Sequence, residues 1–440
     1  MSPLAYGLTP KMKPISPKRT AVIAALDIGT SKIACLIARL RPHPPQDVLP
    51  RRSHAVDIIG FAHTGSRGIK AGTVIDLSDA EEAVRHAVDL AERSARCQID
   101  SVIVSLSAGR LGSELFNASV DVPGGTVSDR DIERALAAGS QCSVREGRVV
   151  LHALPTGFSL DDARGIREPR GMLAHRFGVD LHIVTSDIAA PKNLIFAVER
   201  CHLAVEAMVA SPYVAGLACL ADEETDLGAA LIDLGAGTTT IAVFSGGRFI
   251  HADGFAVGGQ HITMDIARGL SASLYDAERI KTFYGSVIAG SVDERDMIAV
   301  PPVGVDEREP PQFVSRASLT RIIKPRVEEI LEMARDRLAA SPFAAEPRAR
   351  IVLTGGASQL TGLPELASRI LGRHVRLGRP LGIAGLPEAA KGAAFAVSAG
   401  LVVYPQAAHL EHFQPRRTRY LMTGTGGYVA RVGRWLRESF

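Results

Sequence analysis

The chain has 440 residues, of which 46% are hydrophobic and 22% charged, and its formal net charge at pH 7 is +3. This composition is ordinary for a globular protein, and at about 150 residues per domain the length allows two to four compact units. Collagen-like, coiled-coil and largely disordered chains are excluded. Five cysteines lie far apart without a Cys-x-x-Cys pair, which predicts buried thiols in a reducing compartment and argues against zinc-ribbon or thioredoxin chemistry.

The two ends of the chain differ from its body. Residues 1–19 are rich in proline and lysine and are predicted to form a flexible leader. No apolar run reaches the ~20 residues that a spanning helix needs, so no transmembrane segment is predicted. From residue 405 onward, six arginines stand against two glutamates, which predicts an arm that interacts with an acidic surface.

The predicted elements contain one strand-turn-strand pattern twice. An apolar strand, Ala21–Leu26, ends in Asp27-Ile-Gly-Thr-Ser-Lys32, and a second strand follows at Ile33–Leu40. Far along the chain, Ala229–Leu234 ends in Asp233-Leu-Gly-Ala-Gly-Thr-Thr-Thr240, and a strand follows at Ile241–Phe244. The helices predicted between the two copies are Leu77–Arg96, Asp129–Gly139 and Pro191–Cys201. A third strand, Ile351–Leu353, ends in Thr354-Gly-Gly356, and a helix of small residues is predicted at Ala390–Val402.

The repeated turns have the residue types that phosphate binding requires. Each turn can present backbone N–H groups to phosphate oxygens, because glycine permits close approach of the backbone. The aspartate at each strand end can hold Mg²⁺ through water. The duplicated context predicts two related α/β halves with a nucleotide in the cleft at the carboxyl ends of their strands. Two unrelated tight turns remain the alternative at this point.

The order of these motifs resembles that of the actin, sugar-kinase and heat-shock-chaperone ATPase superfamily. Within it, the chain is most similar to the FtsA family of bacterial cell-division proteins. The stretches that carry this narrower resemblance are Gly68–Asp76, Leu181–Thr185 with Lys192 and Asn193, Gly258–Asp265, Ala277–Lys281 with Tyr284 and Gly285, Arg316–Arg326 and the C-terminal tail. The resemblance implies an α/β actin-like ATPase fold of two ribonuclease-H-like halves, with an inserted IC subdomain and a C-terminal amphipathic helix.

The resemblance also implies a division of the chain into subdomains. Subdomain IA would comprise residues 20–101 and 179–212, and the inserted IC would comprise 102–178. Subdomain IIA would comprise 213–254 and 346–404, and IIB would comprise 255–345. A linker over 405–426 would lead to a membrane-targeting helix over 427–440.

An ATP and Mg²⁺ site follows from the matching motifs. The residues that would line the two phosphate loops are Gly29, Thr30, Ser31 and Lys32 in the first and Gly235, Gly237, Thr238 and Thr239 in the second. Those that would complete the site are Asp27 and Asp233 at the metal, Glu278 and Lys281 at the ribose and adenine, and Gly355 and Gly356 behind the adenosine. Without the resemblance, Glu278 and Lys281 would be interpreted as part of a solvated helix face.

Three residues of the predicted nucleotide site depart from the family pattern. Ala236 stands where the second loop usually has glycine, and Thr240 stands where an aspartate is frequent. Ser211 replaces a glutamate that can position the attacking water in this superfamily. These changes are compatible with nucleotide binding, but they leave no identified general base, which hydrolysis requires. We therefore expect weak or no ATPase activity in a scaffold protein and assign no catalytic residue.

The last segment, 427–440, has the periodicity of an amphipathic helix. Its apolar face is formed by Tyr428, Val429, Val432, Trp435, Leu436 and Phe440, and its basic face by Arg431, Arg434 and Arg437. At ~1.5 Å per residue the helix is about 20 Å long, too short for a hydrocarbon core of about 30 Å. This predicts a helix that lies in the interface of an anionic membrane. A terminal helix docked on the body remains the alternative.

The stretch Ser318–Leu338 is also amphipathic. In the family, the corresponding IIB helix receives the C-terminal peptide of FtsZ, and Arg326 and Glu329 match its contact positions. The implied protein polymerises with itself, ties FtsZ filaments of the Z ring to the cytoplasmic face of the plasma membrane at the division site, and recruits later divisome proteins through IC. The alternatives are a PilM-like pilus-assembly protein, a soluble sugar kinase and a chaperone-type ATPase. No nucleic-acid partner is predicted, because the basic residues lack interleaved aromatic stacking platforms.

Overall fold

The computed structural model describes residues 9–42, 49, 51–140, 145–288, 290, 293–301, 311–346 and 348–411. The predicted membrane-targeting helix at 427–440 and most of the predicted linker lie outside these ranges. Within them, no helix combines the length and the apolar character that crossing a membrane requires. The described cysteines are free: Cys35 and Cys219 are buried, and Cys97 and Cys201 are half-buried.

The strands of the described chain are β1 (Ala21–Ile28), β2 (Lys32–Pro42), β3 (His54–Gly65), β4 (Ile69–Lys70), β5 (Thr73–Val74), β6 (Ser101–Leu106), β7 (Gly112–Asp121), β8 (Arg148–Leu160), β9 (Ala163–Ile166), β10 (Arg176–Asp187), β11 (Ala204–Ala210), β12 (Ala229–Leu234), β13 (Thr239–Ser245), β14 (Arg248–Phe255), β15 (Met297–Val300), β16 (Gln312–Ser315), β17 (Arg350–Thr354), β18 (Val375–Leu377) and β19 (Ile383–Ala384). Its helices are α1 (Leu77–Ala95), α2 (Asp129–Ser140), α3 (Ala189–Arg200), α4 (Ser211–Cys219), α5 (Asp222–Leu227), α6 (Gly259–Leu270), α7 (Leu274–Tyr284), α8 (Arg316–Ala339), α9 (Leu363–Leu371) and α10 (Ala396–Val403).

Two sheets repeat the same strand order. The first is β11-β6-β1-β2-β3, with β19 added beside β3, and the second, written in the matching direction, is β18-β17-β12-β13-β14. In each sheet, the central strand pairs antiparallel with the next strand in sequence, β1 with β2 and β12 with β13. On its other side it pairs parallel, β1 with β6 and β12 with β17. Asp27 and Asp233 therefore stand near the carboxyl ends of equivalent strands, and the prediction of two related α/β halves is confirmed.

Helices α4 and α10 lie between the two sheets. Helix α10 packs on β1 and β2, α4 packs on β12 and β13, and the two helices pack against each other. One hydrophobic core accordingly joins residues of both halves, including Leu26, Leu231 and Ala399. The opposite face of the second sheet packs on α6 and α8 in a separate core that includes Ile232 and Ile266.

This placement corrects one predicted boundary. Residues 346–404 were predicted to belong to IIA, but α10 packs on the first sheet and β19 pairs with β3. The prediction is wrong for these two elements because small apolar residues fit either half equally well. Only the packing of the folded chain distinguishes them.

The inserted unit is a four-stranded sheet of order β7-β10-β8-β9, covered by α2. Its own core contains Val122, Phe177 and Ile183. The predicted boundaries, 102–178, are wrong at both ends. Strand β6 pairs with β1 in the first sheet, whereas β10 continues to Asp187 and pairs with β7 and β8. A run of apolar residues in the sequence indicates that a strand is buried, but it does not indicate which sheet the strand joins.

The described part of the predicted leader, from Thr9 onward, contacts the body. Thr9 Oγ1 donates to Val150 O over 2.6 Å, and Pro10 O accepts a hydrogen bond from Met208 N over 3.2 Å. Further along, His54 Nε2 donates to Arg19 O over 3.0 Å. These hydrogen bonds attach the segment to distant strands, and its flexibility stays a prediction.

Candidate functional site

The two Asp-x-Gly turns have the same local geometry. In the first, Gly29 N donates to Lys32 O over 3.0 Å. A Cβ atom at Gly29 would lie 2.9 Å from Lys32 O, and one at Gly235 would lie 2.8 Å from Thr238 O. Each turn therefore folds back on itself so tightly that a side chain has no room. The same local contact therefore forms both of the loops that were predicted from the sequence.

The two loops contact each other across the cleft. A Cβ atom at Gly237 would lie 2.4 Å from Thr30 Oγ1 and 2.9 Å from Ala71 Cα. Thr30 Oγ1 in turn accepts a hydrogen bond from Gly72 N over 3.1 Å. The turn between β4 and β5 thus supports the first loop while both approach Gly237. The close approach explains why glycine is needed at this position of the second loop.

The second loop is also held from the other side by α6. Gly259 N donates to Gly235 O over 2.9 Å, and Gln260 N donates to Ala236 O over 2.8 Å. Thr239 is fully buried, and its hydroxyl donates to Val257 O over 2.7 Å. The second loop is therefore held by backbone N–H groups of the first turn of α6, which have no partner within the helix.

Asp27 is oriented by two serine hydroxyls from different elements. Ser105 Oγ, on β6, donates to Asp27 Oδ1 over 2.7 Å. Ser398 Oγ, on α10, donates to Asp27 Oδ2 over 2.8 Å. Both carboxylate oxygens therefore have a protein donor, which fixes the rotamer of the side chain. Sequence analysis missed Ser105 and Ser398, because each lies far from Asp27 along the chain.

Asp233 and Lys32 form the charged centre of the cleft. Burial, reinforced by the negative charge of Asp27 and opposed by Lys32, raises the pKa of Asp233 to about 7. Burial also lowers the pKa of Lys32, against the opposing attraction of Asp27 and Asp233. Lys32 Nζ donates to Ala394 O over 2.5 Å and lies 4.1 Å from the centre of the Phe395 ring. The charges of Asp27, Asp233 and Lys32 therefore lie close enough to act on one another, and Asp233 is buried.

Lys281 connects α7 to the start of α6. Its Nζ donates to Gly259 O over 3.1 Å, to Thr263 Oγ1 over 2.8 Å and to Glu278 Oε2 over 2.6 Å. Glu278 Oε2 also accepts a hydrogen bond from Thr263 Oγ1 over 2.5 Å. The Lys281 side chain is only 12% exposed, so the interpretation as a solvated face is wrong for it, whereas Glu278 is 53% exposed. Thr263 was missed, although it lies in a stretch that carries the family resemblance.

The turn at Gly355 and Gly356, predicted to lie behind the adenosine, lies beside Asp233. Gly355 has a φ of +87°, and a Cβ atom there would lie 2.3 Å from Asp233 Oδ1 and 2.5 Å from Leu234 O. Glycine is therefore required both by the backbone conformation and by the space. Gly356 follows as the first residue of a short 3-10 turn, Gly356–Gln359. The structure thus brings the ends of β12 and β17 together at the same edge of the second sheet.

The remaining predicted loop residues occupy the same two turns. Ser31 O accepts a hydrogen bond from Ser66 N over 3.0 Å, and the Ser31 side chain is exposed. Thr238 is almost buried, with 9% of its surface exposed. In the described parts of the chain, no group of three or more His, Cys, Asp or Glu side chains is arranged to hold a metal. A cation at Asp27 and Asp233 would accordingly need ligands from a bound molecule and from water.

The two substituted positions at the cleft carry buried hydroxyl groups. The side-chain oxygens of Ser211 and Thr240 are buried and have no hydrogen-bond partner in the structure. Ser211 begins α4, and Thr240 pairs with Asp233 across β12 and β13. A hydroxyl is a much weaker base than a carboxylate, so neither residue supplies the general base that was missing from the sequence pattern.

Arg326 and Glu329 lie together on α8. Arg326 Nε donates to Asp265 Oδ2 over 2.6 Å, and Arg326 Nη1 donates to Glu329 Oε2 over 2.5 Å. The hydrogen bond to Asp265 raises the pKa of Arg326. Arg326 remains 27% exposed and Glu329 51% exposed, so both can be reached from solution. Helix α8 runs from Arg316 to Ala339 and contains Pro325 in its interior.

Two family models match this chain. The model described as Cell division protein FtsA matches residues 230–400, and the model described as SHS2 domain inserted in FTSA matches residues 108–185. A cell division protein FtsA from Agrobacterium fabrum is 52% identical over 436 residues, which are 99% of this chain and 98% of that protein. This chain belongs to the FtsA family of cell division proteins. FtsA of Escherichia coli is 32% identical over 426 residues, 95% of this chain and 98% of that protein.

Solved structures share the fold at much lower identity. A chain of the PilM-PilN type IV pilus biogenesis complex has a TM-score of 0.59 and 18% identity, covering 87% of this chain and 98% of that one. MreB5 of Spiroplasma citri bound to AMPPNP has a TM-score of 0.52 and 13% identity, covering 89% and 98%. These likenesses confirm the predicted actin-like ATPase fold. Membership of the FtsA family decides against the PilM-like, sugar-kinase and chaperone alternatives.

Proposed function

We propose that this FtsA-family protein binds ATP with Mg²⁺, polymerises, and ties FtsZ filaments to the cytoplasmic face of the plasma membrane at the division site. Later divisome proteins would be recruited through the inserted unit. The observation that carries the nucleotide part is the pair Asp27 and Asp233, placed at equivalent strand ends beside Lys32. Two glycine turns flank this pair, and the arrangement fits a phosphate chain that carries a metal ion.

The residues present fit Mg²⁺·ATP. Asp27 and Asp233 would hold the metal through water, and the N–H groups of the two glycine loops would bind the phosphates. Glu278 and Lys281 would lie toward the ribose and adenine, with Gly355 and Gly356 behind them. When bound, the metal neutralises phosphate charge. MreB5, which shares the fold, has been solved with ADP and with AMPPNP, and this supports the assignment.

Hydrolysis is proposed to be slow or absent. Efficient hydrolysis requires a group that positions or deprotonates the attacking water. Ser211 and Thr240 offer hydroxyl groups instead of carboxylates, so neither supplies that group. Bound ATP would therefore act mainly by holding the two halves together, as a condition for polymerisation.

Lys281→Met tests the nucleotide site. The change removes the two hydrogen bonds that join α7 to Gly259 and Thr263 of α6, and the one to Glu278 on α7 itself, while keeping roughly the length of the side chain. We expect ATP to bind at least tenfold more weakly, as measured by calorimetry with Mg²⁺. Arg279→Met is the matched control, because Arg279 is on the same helix and pairs only at the surface with Asp276. Equal affinity of both variants would contradict the assignment.

The FtsZ contact is proposed for Arg326 and Glu329. Arg326 already binds two carboxylates, and its planar guanidinium group has five donors that suit an additional acidic ligand. Buried Leu319, Ile323 and Val327 fix α8 to the body, so its exposed face is presented rigidly. Lys324 stands before Pro325, where the family usually has glutamate, and this favours an acidic residue in the partner peptide.

The membrane contact is proposed for the predicted helix at 427–440. Each arginine near an anionic leaflet contributes about 1 kcal/mol. Ordering a residue costs about 1–2 kcal/mol of backbone entropy, which offsets much of the gain from burying the apolar face. A single anchor would therefore bind weakly and reversibly. A polymer would bind far more tightly, because each further anchor acts at high effective concentration.

Liposome flotation tests the tether. With ATP, Mg²⁺ and anionic liposomes, we expect the full chain to float and to bring FtsZ with it, and a chain ending at Gly426 to leave both behind. Trp435→Ala, which keeps all three arginines of the helix, should float less than the full chain. Flotation of the truncated chain would overturn the anchor proposal.

The same assay separates the two contacts. Arg326→Ala should float normally but carry at least tenfold less FtsZ. Arg321→Ala is the matched control on α8, since Arg321 is exposed and donates to Ser318 Oγ. If Arg326→Ala carries FtsZ as well as the control does, the proposed peptide site is wrong, whatever the result for the membrane.

A further inference from the structure

The carboxylate of Glu411 is buried at the end of the described chain. Its side chain is only 4% exposed, and both of its oxygens have partners. Oε1 accepts hydrogen bonds from His152 Nδ1 over 2.8 Å and from Tyr404 OH over 3.1 Å, and Oε2 pairs with the ammonium group of Lys11. None of the proposed nucleotide, FtsZ or membrane contacts uses this group. We call these four residues the Glu411 cluster.

The hydrogen bonds define the charges within the cluster. Ala210 N donates to His152 Nε2 over 2.9 Å, so this nitrogen carries no proton and Nδ1 donates to Glu411. Burial lowers the pKa of His152, in keeping with a neutral ring. Although burial alone would raise it, His152 and Lys11 bring the pKa of Glu411 to about 2. The cluster is therefore one ion pair, Lys11 with Glu411, completed by a neutral imidazole and a phenol.

Both ends of the described chain meet at the same three residues of the inserted unit. Lys11 also donates to Leu151 O, and Thr9 Oγ1 donates to Val150 O, next to His152 on β8. The C-terminal segment of the described chain, residues 404–411, contacts this strand through Glu411. Strand β8 thus contacts the N-terminal and the C-terminal segment, and it pairs with β10 and β9 inside the inserted sheet.

The cluster also touches the connection between the two halves. Ala210, which donates to His152, ends β11 of the first sheet and directly precedes α4. Tyr213 on α4 is 2% exposed, and its ring lies 5.2 Å from that of His152 and 6.3 Å from that of Tyr404. On its other side it stacks on Phe249 of β14 at 4.7 Å. Buried aromatic contacts therefore run from Glu411 into the second sheet.

We propose that the Glu411 cluster is a latch that couples three parts: the described C-terminal segment 404–411, the inserted unit, and the start of α4. Because the ion pair is buried, removing one partner leaves an uncompensated charge and opens all three connections together. A change in the position of the inserted unit is thereby transmitted to the C-terminal segment. The coupling does not depend on whether the predicted helix at 427–440 binds a membrane.

Hydrogen exchange of the full chain tests the latch. In Glu411→Gln, we expect at least tenfold faster exchange in peptides covering 148–154 and 206–211 as well as in those covering 404–411. The double variant Lys11→Met with Glu411→Gln removes both charges and should exchange more slowly than Glu411→Gln alone. Faster exchange confined to 404–411 would overturn the proposal, because the C-terminal segment would then be attached without being coupled.

Two further variants keep the test decisive if Glu411→Gln does not fold. Tyr404→Phe removes one hydrogen bond to Glu411 and leaves the ion pair intact, so it should accelerate exchange in the same three regions by a smaller factor. Glu388→Gln is the matched control, since Glu388 is 88% exposed and pairs with Lys391 at the surface. An unchanged pattern in Tyr404→Phe, or the same change in Glu388→Gln, would also overturn the latch.

Discussion

Asp233→Asn is expected to stabilise the fold above pH 7 and to abolish the Mg²⁺-dependent part of ATP binding. Asparagine keeps the shape of the side chain but has no charge, so the cost of burying an ionised carboxylate disappears. The same charge is what the metal would require. One substitution should therefore raise stability and remove ligand binding, as is common for strained functional sites.

The pH dependence follows from the raised pKa. The pKa of Asp233 is about 7 in the folded chain against 3.8 in the unfolded chain, so between these values the folded state holds a proton that the unfolded state has lost. The stability of the unsubstituted protein should fall as the pH rises through this window and should then level off. At 1.36 kcal/mol per pKa unit, the loss is about 4 kcal/mol. Asparagine does not titrate and should escape it.

Urea unfolding at pH 5 and pH 8, without nucleotide, measures this difference. The advantage of Asp233→Asn should grow by a few kcal/mol from the lower to the higher pH. Asp57→Asn is the control, because Asp57 is 30% exposed in a surface pair with Arg41. An advantage that stays constant with pH would contradict the assignment of a buried, titrating Asp233.

The loops of the site were predictable because their cause is local. An apolar run ended by Asp-x-Gly specifies a buried strand followed by a tight turn, and Gly29 and Gly235 show the same close contact three residues later. The repetition of this pattern also indicated two related halves. Local rules of this kind need no knowledge of which segments meet in space.

The parts that sequence analysis missed depend on distant contacts. Ser105 and Ser398 fix Asp27 from two other elements, and nothing in the neighbourhood of either serine marks that role. The assignment of β10 to the inserted sheet depends on its pairing with β7 and β8, which an apolar stretch does not reveal. The attachment of residues 9–19 to the body rests on hydrogen bonds to strands far along the chain.

Gly400→Ala is expected to be the most destabilising small substitution at the helix pair between the sheets. A Cβ atom at Gly400 would lie 1.9 Å from Val214 O, on the backbone of α4. The helices would have to separate by roughly 1.5 Å to restore ordinary contact distances. Overpacking costs about 1–3 kcal/mol and occasionally more, and a backbone carbonyl cannot rotate away as a side chain can. Against this, alanine gains about 1 kcal/mol of helix propensity.

The net loss expected for Gly400→Ala is about 3 kcal/mol in the free energy of unfolding, measured with urea. The nucleotide site should suffer too, because α10 carries Ser398, whose hydroxyl orients Asp27, and a shift of α10 would lengthen that hydrogen bond. ATP should then bind at least tenfold more weakly, even though Gly400 itself lies in the helix contact. Gly124→Ala is the matched control, since its added methyl group meets nothing within 4 Å. Stability equal to that of the control would mean that α4 and α10 separate without cost, and the position of Asp27 would then not depend on their packing.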